Sequence, residues 1–578
     1  WFFARGADTA PVRLKVNTPN SLTAVSSGTE TGGAFDQKLN GQPFFVVGNW
    51  DISNQNGISV YLPKGATAEG SKRAAELATL TSDAKIFVAG LLGNAPDVPL
   101  RIVSGRRGAG FGSGGTIIVD ETVFRQSKID SLTAMNIAEA VAKLWLGNAV
   151  AISGDGYGII SEGLSRYIAT QFFESKFGKD VADIERLRHR TAYSGVSKRD
   201  SPMSVVSPVD DYYYSVVANK GAMAWRLLVK RVGSTEFLNS LKANMQDGDL
   251  NVAELRSAFS LQKELIDNLF DQVTDTDLLV GLPQPNGAET RVALRNTGTM
   301  DVTVDVAATT ASGEKLIAPT TIKATSFGEV AFKASSKIMR VEVDADKLYP
   351  QMDYSDDIAP RETSDSDPLL AAKRYFDKQD FVNAESTAKT LLRDLPRFDE
   401  LRILLGRSLF AENKSAEAEK EFRAVLDEKL PTARSLAWAN VGLGEIAAKA
   451  NQNDAASKFA ETAIISDADY GASLAARALR NKVAVTTSPD PSIKAFFSDF
   501  DKAVAAKRKA DIDSMIVPGE IAKFAGGVAG SAEQWQTQVV QVDRLDPTTV
   551  LVETNMSVKL LGRNDETGTA VYRLVKSG

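Results

Sequence analysis

The strongest constraint on this chain's fold is a pattern of small and apolar residues that returns at a fixed interval in its last third. Tyr375, Ala384, Ala388 and Leu391 recur 34 residues later as Leu409, Ala418, Phe422 and Val425. After a further 38 residues the same slots hold Ala447, Ala456, Ala460 and Ala463. Gly406 and Gly444 each precede the opening position of their unit by three residues, and Pro396 and Pro431 follow the first two units. The spacing inside each unit is helical, and small residues at the inward positions let paired helices pack closely. Residues 369–485 are therefore expected to be stacked helical repeats, and three units meet the usual minimum for a stable stack.

Elsewhere the apolar period changes, so the chain holds several domains. Its 578 residues also exceed what one core accommodates, since single cores stop growing near roughly 250–300 residues. Residues 1–55 read as short strands, Val12 to Val16 and Phe44 to Val47, broken by Gly, Asn and Ser. Residues 56–280 alternate strand-like and helical stretches, with helices near Ser71–Leu80, Ser131–Leu146 and Gly158–Phe177 and strands at Leu100–Val103 and Thr116–Val119. Over 283–350 the pattern has period two: Val292 with Leu294, then Val302, Val304 and Val306, Val330 with Phe332, Val341 with Val343. Period two over short segments predicts a small antiparallel β-sandwich. The acidic stretch 351–368 reads as a flexible linker. Residues 488–578 open with an amphipathic helix carrying Ile493, Phe496, Phe497, Phe500 and Val504, followed by three strand patterns.

Composition removes several classes of function. A net charge of −6 leaves no basic footprint for nucleic acid. No apolar run is long enough to span a membrane. The absence of cysteine excludes disulfides, thiolate catalysis and zinc–cysteine sites. It is compatible with an extracellular or periplasmic location, where there are no thiols to mispair. Trp1-Phe-Phe-Ala-Arg5 shows no basic segment leading to a cleavage site, and Lys576-Ser-Gly578 falls inside a strand pattern. The expectation is that this chain is a portion of a longer precursor.

Ile137-Ala-Glu-Ala-Val-Ala-Lys-Leu-Trp-Leu-Gly-Asn148 resembles the V-A-H-E-L-A-H-Q-W-F-G-N helix of the aminopeptidase-N (gluzincin) zinc metallopeptidases, and Ser161-Glu-Gly-Leu-Ser165 resembles their N-E-G-F-A segment. On that pattern Glu139 and Lys143 stand where the zinc-binding histidines would be, and Ala140 stands at the general-base glutamate. Glu162 keeps the residue of the third ligand, nineteen positions after Lys143, which is the family's spacing. Gly110-Phe-Gly-Ser-Gly114 falls where the family carries G-x-M-E-N, so Ser113 takes the place of the glutamate that grips a substrate α-amine. A phosphate-cradle reading of the glycines from 105 to 115 fails because no Gly-Lys-Ser/Thr ending follows, and they read as loop and turn. Ala218-Asn-Lys-Gly-Ala222 resembles the family's Y-x-K-G-A, which puts Ala218 at the oxyanion-stabilising tyrosine. Tyr213 and Tyr214 lie close by, either as packing aromatics or with one pointing into the cleft.

The resemblance implies a multidomain α+β fold: a partial β-saddle, a thermolysin-like α/β-helical domain and a β-sandwich. The repeats resemble tetratricopeptide repeats, and the last segment is similar in element order to a SnoaL-like α+β cone, incomplete here. Zinc hydrolysis in this family needs two neutral imidazoles and a carboxylate on the metal, with a further carboxylate as base. The sole histidine, His189, lies 46 residues beyond Lys143 among arginines and is expected to face solvent. Zinc is therefore expected to be absent. Either the Lys143 ammonium sits between Glu139 and Glu162 as an ion cluster, or Glu139 and Lys143 form an exposed pair on one helix face. The functional expectation is a catalytically inactive pseudopeptidase that binds peptides or proteins through its cleft and repeat stack and is able to self-associate. The alternatives are a metallopeptidase with unusual ligands and a subunit of a larger extracellular or envelope assembly.

Overall fold

The computed structural model describes residues 11–105, 110–363, 365–484, 490–517, 523, 526, 527 and 530–576. The opening Trp1–Arg5, positions 106–109 of the glycine run, and Ser577-Gly578 lie outside the described residues. The chain is multidomain and mixed α/β, and it divides into two compact units: 1–62 with 68–442, and 63–67 with 443–578. Among the described residues no helix is long and apolar enough to cross a membrane.

The larger unit begins with short antiparallel pairings, Val12–Leu14 with Ala34–Gln37 and Thr23–Ser26 with Phe45–Gly48. Trp50–Gln55 belongs instead to the next layer, a five-stranded sheet with Ile58–Pro63, Leu100–Gly105, Thr116–Asp120 and Phe111–Ser113. The expected boundary at residue 55 therefore moves before Trp50, because backbone pairing joins that strand to the larger sheet. Leu100–Gly105 and Thr116–Asp120 run parallel, with Ile102 opposite Ile117, and both residues are buried. The long helix Ala68–Leu92 packs Ala74, Leu77, Ala78, Ala84 and Val88 inward.

Period two becomes two four-stranded sheets, one built around Glu289–Asn296 and the other around Val302–Thr310. Along Val302–Thr310 every second residue is buried, which is what a sheet with one face on a core requires. The stretch 351–368 corrects the linker expectation. Ile358–Ala359 pairs with Val341 and Glu342, while Gln351 and Asp357 are fully buried. Gln351 bonds both the Leu278 amide and Asp357, so the polar composition of this stretch is internal hydrogen bonding rather than solvation.

Helices Pro368–Asp377, Phe381–Asp394, Asp399–Ala411 and Ser415–Asp427 follow, and Ala433–Lys449 runs through the division between the units at 442 and 443. The recurring positions Ala384, Ala388, Ala418, Phe422 and Val425 are all buried, whereas Tyr375 is largely exposed and does not share the inward role of Leu409.

In the smaller unit, Ala456, Ala460 and Ala463 are buried in the same way on Asn453–Ser466. Helix Pro491–Ala505 lies on an antiparallel sheet of Ala532–Arg544, Thr549–Leu560 and Glu566–Val575, with Phe497, Val550 and Val552 between them. Arg477 and Arg480 on the preceding helix pair with Asp543 and Glu553 of that sheet. These buried ion pairs explain why helix Tyr470–Val483 groups with the sheet, and why the division does not fall at 485–488 as the sequence boundaries imply.

Candidate functional site

The Glu139 helix, Ser131–Ala142, is started by Asp130, whose carboxylate accepts from the Thr133 amide at 3.0 Å and the Thr133 hydroxyl at 2.7 Å. The Ser131 amide donates to the Pro431 carbonyl at 3.0 Å, so a free helix N-terminal donor is satisfied by the repeat region. Sequence periodicity carries this helix to Leu146, but it stops at Ala142. Lys143 is its cap, the next turn tightens, and Gly147 takes a φ of 118° to reverse the chain.

Glu162 lies on a wide π-helical turn, Ile159–Leu164, which leads into helix Ser165–Phe177. A second π-helical turn, Ser215–Lys220, carries Ala218 and leads into Gly221–Val232. The two turns touch backbone to backbone. A Cβ on Gly163 would sit 2.6 Å from the Val217 carbonyl oxygen, so only glycine is admitted after Glu162. Wide turns of this kind re-aim side chains and recur at functional sites.

Around these elements the charges form two ion pairs. The Lys143 Nζ lies 2.6 Å from Glu162 Oε2. Glu139 is buried and does not contact Lys143 as an ion pair; it is clamped by Arg166 through Nε and, at 3.3 Å, through Nη2. Arg166 also donates from Nη1 to Asn219 Oδ1 at 2.6 Å. Burial alone lowers the Arg166 pKa, and the Glu139 charge and hydrogen bond, with Glu162 and Glu185 beyond, more than reverse that and leave it raised. The expectation of one ammonium shared by Glu139 and Glu162 is therefore corrected. Each carboxylate has its own cation, because Arg166, one helical turn after Glu162, is long enough to cross to the neighbouring helix. The exposed Glu139–Lys143 pair is likewise not formed.

Ala140 is half-buried beside the edge strand Phe111–Ser113, where a Cβ on Gly112 would lie 3.1 Å from the alanine methyl. The Ser113 hydroxyl donates to the Gln42 carbonyl at 3.3 Å, which ties this position to the loop from Asn40 to Gln42. Asn148 holds the same loop through the Asn40 carbonyl at 2.8 Å. Ala218 is buried. Of the two tyrosines, Tyr213 is buried against Gly158, and burial, followed by Tyr157 and the Glu162 carboxylate, pushes its phenol above the usual range. Tyr214 is exposed and meets the Tyr213 ring edge-on at 5.3 Å.

His189 is buried, not solvent-facing as its arginine neighbours imply. Arg186 and Arg188 reach away to Glu174, Asp183, Glu185 and Asp399, and the imidazole between them turns inward. Three functional-looking groups escaped the sequence reading: Arg166, Asn219 and the fully buried pair Lys220–Asp200 at 2.8 Å. Asn219 and Lys220 lie inside the Ala218–Ala222 motif, so a signal was present. Asp200 had none.

No protein-family model matches the chain, and no curated protein matches it. Among solved structures it is similar to aminopeptidase A of Legionella pneumophila in complex with aspartic acid, at 14% identity over 78% of this chain and 64% of that one, with a TM-score of 0.53. An M1 zinc metallopeptidase from Deinococcus radiodurans aligns at 18% identity over 46% of this chain and 65% of that one, TM-score 0.35. Yeast leukotriene A4 hydrolase with bestatin aligns at 11% identity over 80% and 70%, TM-score 0.42. The chain spans 64% of the length of the first of these. At such identities the likeness is one of fold, shared with the Legionella aminopeptidase.

Proposed function

We propose that the chain is a metal-free, catalytically inactive member of the aminopeptidase-like fold that holds peptide or protein segments instead of cutting them. The observation that carries this reading is the Lys143–Glu162 ion pair at 2.6 Å, beside Glu139 clamped by Arg166. A zinc ion needs unprotonated donors converging on one point. Here the carboxylate at the third ligand position is paired with an ammonium, and both oxygens of Glu139 are engaged by a guanidinium. The residues present do not fit the metal. Ala140 offers no proton acceptor for a water, and Ala218 offers no hydroxyl for an oxyanion. The exposed rings of Tyr157 and Tyr214, next to the Glu162 turn, are the kind of surface aromatic that anchors a bound chain.

The finer domain readings belong to the same proposal. Burial of the recurring alanines on successive helices supports tetratricopeptide repeats over 369–485. A helix seated on a three-stranded antiparallel sheet supports a SnoaL-like cone over 488–578. The short pairings before Trp50 support a remnant β-saddle.

The test is to dialyse the purified protein against excess zinc, remove free metal, measure bound zinc by mass spectrometry, and assay release of amino acids from short peptides. The expected outcome is substoichiometric zinc and no release. One zinc per chain together with peptide hydrolysis overturns the proposal.

A further inference from the structure

Helices Ser165–Phe177, Lys179–Ser194 and Gly221–Val232 meet the segment around Lys347 at a small pocket lined by Tyr167, Gln171, His189, Arg190, Arg226 and Lys347 among others. Its cations are unevenly paired. Lys347 is neutralised by Asp357 at 2.6 Å and Glu342 at 3.2 Å, and Arg186, also in the lining, by Glu174 and Asp183. Arg226 donates only to backbone carbonyls, those of Asp346 at 2.8 Å and Lys347 at 3.3 Å, and forms no ion pair among the described residues. Arg190 lies over the Tyr354 ring, 5.6 Å from its centroid, and also forms no ion pair among the described residues.

His189 is the second observation. It is 5% exposed, lines the pocket, and makes no hydrogen bond among the described residues. A neutral imidazole carries one donor and one acceptor, and neither is used by another described residue. Burial, then Arg166, Arg186, Arg188 and Arg226, hold its pKa well below the usual value. The carboxylates of Glu342, Asp344, Asp346 and Asp357 lie near Lys347, Arg190 and Arg226, so the charge is close to balanced, but the guanidinium donors of Arg190 and Arg226 are not taken up by ion pairs among the described residues. The enclosed space is about 10 Å³, room for one water-sized atom.

We propose that this pocket binds a phosphate-type oxyanion, one oxygen seated beside His189 and Arg226 and the others met by Arg190 at the mouth. Guanidinium groups suit this ligand because their planar donor forks match oxyanion geometry. A free inorganic ion and the terminal phosphate of a larger ligand share that chemistry. The site is separate from the Lys143–Glu162 and Glu139–Arg166 pairs, so it stands or falls independently of the peptidase reading.

The single histidine makes the test direct. Protein labelled with ¹³C at histidine Cε1 gives one resonance, that of His189. Titrating inorganic phosphate is expected to shift it saturably, while sodium chloride at equal ionic strength does not. Arg226→Gln and Arg190→Gln should each weaken binding roughly tenfold or more, the scale expected for removing one charge-assisted hydrogen bond. Phenyl phosphate run in parallel distinguishes the sources: binding equal to that of inorganic phosphate marks a mouth open to phosphomonoesters, and binding by the free ion alone marks a closed one. No shift, a shift reproduced by chloride, or affinity unchanged in both variants overturns the proposal. Should Arg226→Gln melt early in the absence of anion, Arg190→Gln decides, since that side chain packs on Tyr354 without an ion pair of its own.

Discussion

Replacing Arg166 by methionine tests the electrostatic logic of the site. The change keeps most of the side-chain volume but removes both partners of Glu139 supplied by the guanidinium, and frees Asn219. The side chains of Arg166 and Glu139 are 17% and 10% exposed, so the stranded carboxylate gains little from water. Breaking a buried pair from one side costs about 3–5 kcal/mol, and the residual exposure of Arg166 points to the lower end, about 3 kcal/mol. A thermal midpoint is a poor readout for a chain with two compact units. Hydrogen exchange on peptides covering 131–177 reads the local opening energy instead, and about 3 kcal/mol corresponds to roughly hundredfold faster exchange. The double variant Glu139→Leu/Arg166→Met removes both charges and should recover most of the protection, because an apolar pair of similar volume is close to neutral. Exchange in Arg166→Met within about threefold of the parent, below roughly 1 kcal/mol, refutes the reasoning. So does a double variant no better protected than the single.

Lys143→Ala should cost less, about 1 kcal/mol, because its pair with Glu162 is partly exposed and screened by salt; the same peptides should show under tenfold faster exchange, less still at high salt. Lys220→Met strands Asp200, which is fully buried and also receives the Tyr193 hydroxyl and the Thr274 amide, so a loss of about 3–5 kcal/mol is expected in exchange over 193–232. Burial, with Asp277 and Asp353 nearby, raises the pKa of Asp356 to about 6 in the folded chain. The folded state then holds this proton more tightly than the unfolded one, so stability is full near pH 4 and falls as pH rises to about 6. Asp356→Asn should consequently stabilise the fold above pH 6 by about 1 kcal/mol, after allowance for solvent and the neighbouring Arg361, and do nothing near pH 4. Hydrogen exchange on peptides covering 341–363, with variant and parent compared at each pH, checks this.

Local pattern made much of the fold legible. The buried positions Ile137, Val141, Leu144 and Trp145 followed from helical spacing, and Val302, Val304 and Val306 from alternation. What failed were inferences from composition. The acidic stretch 351–368 reads as a linker, yet Gln351 and Asp357 are interior because each satisfies the other's polar groups. The arginines around His189 read as a solvated face, yet long side chains carry their charge away and leave the ring between them inside.

The sequence alone determined the buried apolar positions around Ile137 and Val141 and along Val302 to Val306, and that no thiol is present. These are properties of residue type and of a period only a few residues long. Tertiary structure alone decided that Glu139 pairs with Arg166 and Lys143 with Glu162, that His189 lines a pocket with Arg190 and Arg226, and that helix Tyr470–Val483 is ion-paired to the final sheet. Those choices depend on which segments approach in space. Coulombic and hydrogen-bond partners are selected by distance after folding, and separations of 27 or 63 residues along the chain carry no periodic trace of them.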